Sequence, residues 1–201
     1  AEARKHAVLA IVAVGTAGLR SAENGSEVVE QIRRRTGVLV ELISGEEEAR
    51  LAYLATRAAL RVEQGSLVVV DTGGGSTQFS FGRGSEVVER FSVDVGAVRY
   101  TERFRLDAVV SPDTLRELFA ALSSDLSRTD GRPAPDALVA MGGAATNITA
   151  VKHGLRRPDP DRVQGTVLDR TEIDRQIELY RSKDADARRS IVGLQPNRAE
   201  V

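Results

Sequence analysis

The chain has no cysteine, no tryptophan, a single methionine and two histidines among its 201 residues. Without cysteine there is no disulfide framework, no thiolate zinc site and no cysteine nucleophile. Aromatic residues make up 4% of the sequence, too few for the stacking platforms that hold single-stranded nucleic acids. Neither sign of charge prevails: 28 basic and 29 acidic side chains leave a formal charge of −1, which argues against a general nucleic-acid or anionic-membrane binder. Of the basic residues only Lys5, Lys152 and Lys183 are lysine, a bias read here as genomic base composition. Long apolar runs are also missing. The longest, Ala7–Val14, falls far short of the roughly 18 residues of a membrane span. It follows Arg4 and Lys5, but no cleavage pattern succeeds it, so it reads as a buried strand and not as a signal peptide. The cytoplasm is the expected compartment. What is present, 41% apolar and 28% charged residues, is the composition of a folded soluble protein. A chain of this length buries about two-thirds of its unfolded surface and needs no staples.

Hydrophobic periodicity divides the chain into two textures. His6–Val14 and Val38–Ile43 read as short apolar strands, and residues 23–35 as an amphipathic helix stopped near Gly37. Ser44, with Glu47 three positions on, caps a helix running to about Val62, and Gln64-Gly65-Ser66 breaks it. From residue 65 the β-α alternation gives way to three strands joined by short turns: Leu67–Asp71, Thr77–Phe81 and Glu86–Val95. Helices are expected at 97–104 and 111–126, a linker at Arg128–Pro135, a strand at Ala137–Met141 and a helix from Gly142 to about His153. Loop and two further helices, 171–182 and 184–192, complete the reading. The domain boundary is placed at 64/65, giving units 1–64 and 65–201. The chain opens on Ala1-Glu2-Ala3 without methionine and ends on Ala199-Glu200-Val201, so it reads as a piece of a longer protein.

The stretch that carries chemistry is Asp71-Thr72-Gly73-Gly74-Gly75-Ser76-Thr77. Three successive glycines admit positive φ and let several N–H groups converge on one point, a nest suited to phosphate oxygens. Ser76 and Thr77 offer hydroxyl donors. Asp71, at the carboxyl end of a buried strand, is placed to hold a hard divalent cation, which keeps a carboxylate and a phosphate cluster from repelling one another. The turn is not a Walker A loop, because Gly-Lys-Ser/Thr is absent and a strand follows. It is not a Rossmann fingerprint either, because the spacing fails and no helix follows. Strand, turn and strand around a phosphate are similar to the actin-like ATPase superfamily, and the expected class is α/β: an actin-like (ribonuclease H-like) two-lobed fold, with part of the first lobe and most of the second.

Other residues admit two readings each. Glu46, Glu47 and Glu48 open a helix, where acids suit the dipole. Arg20 alone reads as a surface arginine, and Arg33-Arg34-Arg35 as a solvated helix end. Gly142-Gly143-Ala144 turns a strand into a helix. It is either a second phosphate or ribose contact at the helix N-terminus or tight strand–helix packing. His6 and His153 have no i,i+4 partner and do not read as metal ligands.

Three segments, in order, sharpen the resemblance. Thr16-Ala-Gly-Leu-Arg20-Ser-Ala-Glu-Asn24, Ile43-Ser-Gly-Glu-Glu-Glu48-Ala-Arg50 and Asp71–Thr77 resemble motifs of the exopolyphosphatase/guanosine pentaphosphate phosphohydrolase (Ppx/GppA) family. Val93-Asp-Val-Gly96-Ala-Val-Arg99-Tyr-Thr-Glu102 and Ile191–Ala199 are similar to later landmarks of that family. The resemblance implies a magnesium-dependent phosphoanhydride hydrolase acting on the ends of linear polyphosphate or on guanosine pentaphosphate. It implies Glu48 as general base, Asp71 as the metal-linked carboxylate, Gly73, Gly74, Gly75, Ser76 and Thr77 as the phosphate cradle, and Arg20 beside the path of the polyanion. It also implies a homodimeric full-length parent with neither nucleic acid nor membrane as partner. Two departures stand out. The family's first phosphate hairpin, Asp-x-Gly-Ser-Asn/Thr, is absent, so the 201-residue piece is expected to be inactive alone. Gln78 stands where the family has Glu, which leaves a non-catalytic polyphosphate or guanosine-polyphosphate sensor as an alternative, beside a kinase of the same superfamily.

Overall fold

The computed structural model describes Lys5 and residues 8–201, arranged around two sheets. The first is a parallel pair, β1 (Ala13–Gly15) and β2 (Val40–Leu42), in the register Ala13↔Val40 and Gly15↔Leu42. Between them run α1 (Ala17–Ser21) and α2 (Gly25–Thr36). α2 ends at Gly37, left-handed at φ 72°, whose N–H closes on the Arg33 carbonyl. Both strands are shorter than the apolar runs suggest. Among the described residues β1 pairs only with β2, and residues 8–12 are exposed and carry no ladder; His6 and Ala7 lie outside the described residues.

After β2, α3 (Gly45–Leu60) starts at Ser44, whose hydroxyl accepts the Glu47 N–H at 3.1 Å, and it stops where Arg61 turns left-handed at φ 53°. The second sheet has the order β5-β4-β3-β6. β3 (Ser66–Thr72), β4 (Thr77–Arg83) and β5 (Glu86–Val93) form the expected antiparallel meander. α4 (Ala97–Phe104), α5 (Pro112–Asp125) and a 3-10 turn at Ser127–Thr129 then cross over to β6 (Ala137–Met141), which lies parallel to β3. α6 (Gly142–Lys152) leaves β6 without a loop. α7 (Pro160–Val163), α8 (Arg170–Arg181), α9 (Ala185–Arg188) and a 3-10 turn at Pro196–Arg198 follow. α7 falls in a stretch read as loop, and α9 is far shorter than the helix expected over 184–192. The chain turns after it to bring Gly193, at φ 98°, against the Ala150 carbonyl, where a Cβ would sit 2.4 Å from the oxygen.

α3 packs on the four-stranded sheet. Its buried residues Ala49, Ala52, Tyr53 and Thr56 recur at helical spacing, and Ala52 and Tyr53 join Leu67 and Val69 in the core. Tyr53 occupies the space over Gly82, where a Cβ would meet the ring at 2.6 Å, and its hydroxyl donates to the Gly84 carbonyl. Ser80 Oγ donates to the Ala49 carbonyl at 2.6 Å. On the opposite face Phe79, Phe81 and Phe91 stack beneath the guanidinium groups of Arg128 and Arg132, which pair with Glu89. The packing therefore lays the first turn of α3 over the end of the sheet from which the glycine turn projects. That placement makes the site.

Candidate active site

Strand register assembles one side of the site. Asp71 pairs with Gln78 across β3 and β4, and Gln78 with Ser92 across β4 and β5. Directly opposed residues share a face, so all three lie beneath the start of α3, where Gly45 abuts Ser92. Glu48, in the first turn of that helix, has a side chain only 19% exposed, and its Oε2 is buried with no hydrogen-bond partner. The nearest cation is Arg20 of α1, 3.8 Å from that oxygen, and Arg20 Nη1 is itself held by the Ile43 carbonyl at 2.7 Å. Burial pushes the Glu48 carboxyl above its usual range. Arg20 opposes that shift and the charge of Asp71 adds to it. Asp71 is raised as well, by burial, and its carboxylate makes no hydrogen bond or ion pair with the described residues.

The glycine turn is built differently from the expectation of positive φ. None of Gly73, Gly74 and Gly75 is left-handed; the turn is fixed instead by docking on α4. Ala97 N–H donates to the Gly73 carbonyl at 3.0 Å, Arg99 N–H to Gly74 at 3.1 Å, and Arg99 Nε to Gly75 at 3.0 Å. Glycine is needed here for close approach. A Cβ on Gly96 would lie 2.4 Å from the Gly74 carbonyl oxygen, and one on Gly74 would lie 3.1 Å from Val98. Gly73 N–H closes the turn on the Ser76 carbonyl, while the N–H groups of Gly74, Gly75 and Ser76 have no acceptor among the described residues. The Thr77 hydroxyl is turned inward to the Val95 carbonyl at 2.6 Å. Ser76 Oγ accepts from Gln78 Nε2 at 2.8 Å.

The second glycine pair meets the first site from below. Gly142, at φ 87°, passes so close to Asp71 that a Cβ would stand 2.5 Å from Oδ1. Only glycine tolerates both that φ and that contact. Gly143 lies against the guanidinium of Arg198, its Cβ position 2.9 Å from Nη2. Gly143 and Ala144 line a cavity of about 320 Å³ that also reaches Thr72 and Gly73 of the turn and is otherwise mostly apolar, with Phe119 and Ile148 in its wall. Of the other readings, Arg33 and Arg34 pair with Glu30 as a solvated helix end, and His153 bonds the Thr166 hydroxyl.

The structure thus brings Glu48, Arg20, Asp71 and the Gly73–Thr77 turn into one place and sets Gly142 directly beneath Asp71. Arg99, Gly96 and Arg198 were not singled out for roles from the sequence. Gly96 and Arg99 stand in a segment that carried resemblance only, and a separation of some twenty residues does not reveal that they grip the turn. Among the described residues there is no cluster of three or more His, Asp or Glu side chains fit for a metal. Asp71 alone suits magnesium all the same, because that ion is commonly held by one or two carboxylates together with waters and substrate phosphates.

Comparison with known proteins identifies the fold and the family. The chain is 35% identical over 97 residues to exopolyphosphatase 1 of Mycobacterium tuberculosis, covering 48% of this chain and 28% of that protein. It is 24% identical over 202 residues to a bifunctional 3-dehydroquinate synthase/phosphatase of Fusobacterium nucleatum, covering 95% of this chain and 29% of that protein. Among solved structures, a Ppx/GppA family member from Aquifex aeolicus superposes with a TM-score of 0.86 at 32% identity, over 98% of this chain and 64% of the other. An exopolyphosphatase of Cytophaga hutchinsonii, at 22% identity and a TM-score of 0.78, shares the fold. The chain spans under a third of these curated relatives and somewhat under two-thirds of the solved ones. The α/β class expected from the sequence agrees with the mixed sheets and helices and with the fold of these matches. The model of the Ppx/GppA phosphatase family matches residues 2–201, and the chain belongs to that family.

Proposed function

We propose that the protein carrying this chain hydrolyses the terminal phosphoanhydride bond of inorganic polyphosphate by water attack. The observation that carries the reading is the Glu48 oxygen, buried and without a hydrogen-bond partner, set beside Arg20 and Asp71 over the glycine turn. Phosphoryl transfer asks for positioned water and neutralised charge more than for covalent chemistry. The unspent N–H groups of Gly74, Gly75 and Ser76 receive phosphate oxygens, and Arg20 adds a positive charge to their path. Thr77 contributes its place in the turn, since its hydroxyl is committed elsewhere. Glu48 takes the proton of the attacking water. Its raised pKa, due first to burial, brings it toward the neutral range where a general base works best. Asp71 would hold a magnesium ion, which when bound neutralises phosphate charge there.

Guanosine pentaphosphate is a second reading, favoured by the largely apolar cavity that opens from Thr72 and Gly73 toward Gly143 and Ala144. A nucleoside fits such a wall, with Gly142 and Gly143 at the junction and Arg198 near a second phosphate. We also propose the division at 64/65, with α3 of the first part packed on the sheet of the second, and a cytoplasmic homodimer as the working assembly. The test is orthophosphate release by the full-length protein from polyphosphate with magnesium. A hydrolase liberates phosphate, whereas a protein that binds polyphosphate and releases none is a sensor and overturns the proposal.

A further inference from the structure

Gln78 lies in the middle of the candidate site, 2% exposed, between Asp71 and Ser92 in the sheet register. Its amide nitrogen donates to Ser76 Oγ at 2.8 Å and reaches Ser92 Oγ at 3.4 Å. A serine hydroxyl has one proton to give and two lone pairs to offer. Where an amide N–H takes a lone pair, the proton of that hydroxyl points elsewhere. Ser76 is 6% exposed, and its hydroxyl donates to no acceptor among the described residues. The neighbouring Thr77 differs, since it spends its proton on the Val95 carbonyl.

We infer that Gln78 is a positioning residue that fixes the polarity of Ser76: by donating to Ser76 Oγ it turns the Ser76 proton outward, as a hydrogen-bond donor to an anionic phosphate oxygen on the glycine turn. The inference rests on the phosphate reading of that turn and goes beyond it by assigning a direction to one proton. An amide does this without charge, in a place where Asp71 lies directly opposite in the register and Glu48 lies above. A carboxylate at position 78 accepts where the amide donates. It draws the Ser76 proton inward and adds a third negative charge to the pair.

The test is a double-variant cycle in the full-length protein, read as tripolyphosphate affinity by calorimetry and as KM and kcat for its hydrolysis. Gln78→Met keeps the length of the side chain and removes the donor, and Ser76→Ala removes the hydroxyl. Each weakens tripolyphosphate binding about tenfold, the scale of one hydrogen bond to a charged group. The double variant is no weaker than Ser76→Ala alone, and KM moves more than kcat. Gln78→Glu weakens binding further than Gln78→Met. Should Gln78→Met not fold, Gln78→Leu, which also removes the donor without adding charge, makes the same cycle with Ser76→Ala. Affinity within twofold of wild type in the Gln78 variants, or single losses that multiply in the double variant, overturns the inference while the phosphate reading stands. A wild-type protein that binds no tripolyphosphate overturns both.

Discussion

Glu48 is a carboxylate the fold holds at a cost. Because burial raises its pKa, the native state prefers it protonated. That preference favours folding below the pKa of the unfolded chain and is lost as pH rises through the folded value. Glu48→Gln is therefore expected to raise Tm at pH 7.5 and to leave it unchanged near pH 3, as thermal melts across pH will read. The same shift governs rate. In the proposed mechanism the rate requires Glu48 ionised, so the acid limb of the pH–rate profile is expected above that of an ordinary glutamate. Arg20 holds the pKa down, so Arg20→Gln moves the limb to higher pH in initial-rate measurements; a limb that stays in place or moves down contradicts the pairing. Asp71 and the Ser76 turn were legible as a motif, because strand end, carboxylate and glycines are neighbours in sequence. Arg198 against Gly143 was not, since the two meet only after α6 through α9 have folded back. The inward commitment of the Thr77 hydroxyl was equally invisible, because its partner Val95 sits at the far end of the meander.

Among the elements, α3 and α4 carry the site more than the glycine turn does. Ser44 caps α3 one turn before Glu48, so Ser44→Ala is expected to cost about 1 kcal/mol of stability in denaturant melts and to lower the rate by loosening the turn that holds Glu48. α4 clamps the glycine turn through three donors, and only glycine at position 96 lets the two backbones approach. Gly96→Ala drives a Cβ into the Gly74 carbonyl. It is expected to destabilise by about 1–3 kcal/mol, as overpacking does, and to weaken tripolyphosphate binding in calorimetry; unchanged binding would separate the turn from the anion. The meander strands were read to within two residues, because alternation and turn residues are strong where each strand pairs with its neighbour in sequence. β1 was overread, because an apolar run does not form a ladder without a partner strand. The triple glycine was expected to serve positive φ, yet none of the three is left-handed, and the close approach in this corner falls on Gly74 and on Gly96 from another segment.

For the whole molecule, the decisive relation is that α3 precedes residue 65 in the chain but lies on the sheet that follows it. The N-terminal parallel pair is small and exposes Val14 and Leu42, whereas the four-stranded sheet is covered on one face by α3 and on the other by the arginine-capped phenylalanine stack. Sequence texture marks the change from alternation to meander but not which sheet claims a helix, because that choice is made by shape: Tyr53 seats over Gly82 and Ala49 over Ser80. In the proposed mechanism this packing delivers the base from the part of the chain before residue 65 to the phosphate turn that follows it. The direct test is Glu48→Gln in the full-length protein, with tripolyphosphate hydrolysis and tripolyphosphate affinity measured side by side in magnesium. Water activation by Glu48 predicts a rate lower by about 10²–10⁴-fold with affinity within threefold of wild type. A rate that falls only in proportion to affinity, or does not fall, would contradict it.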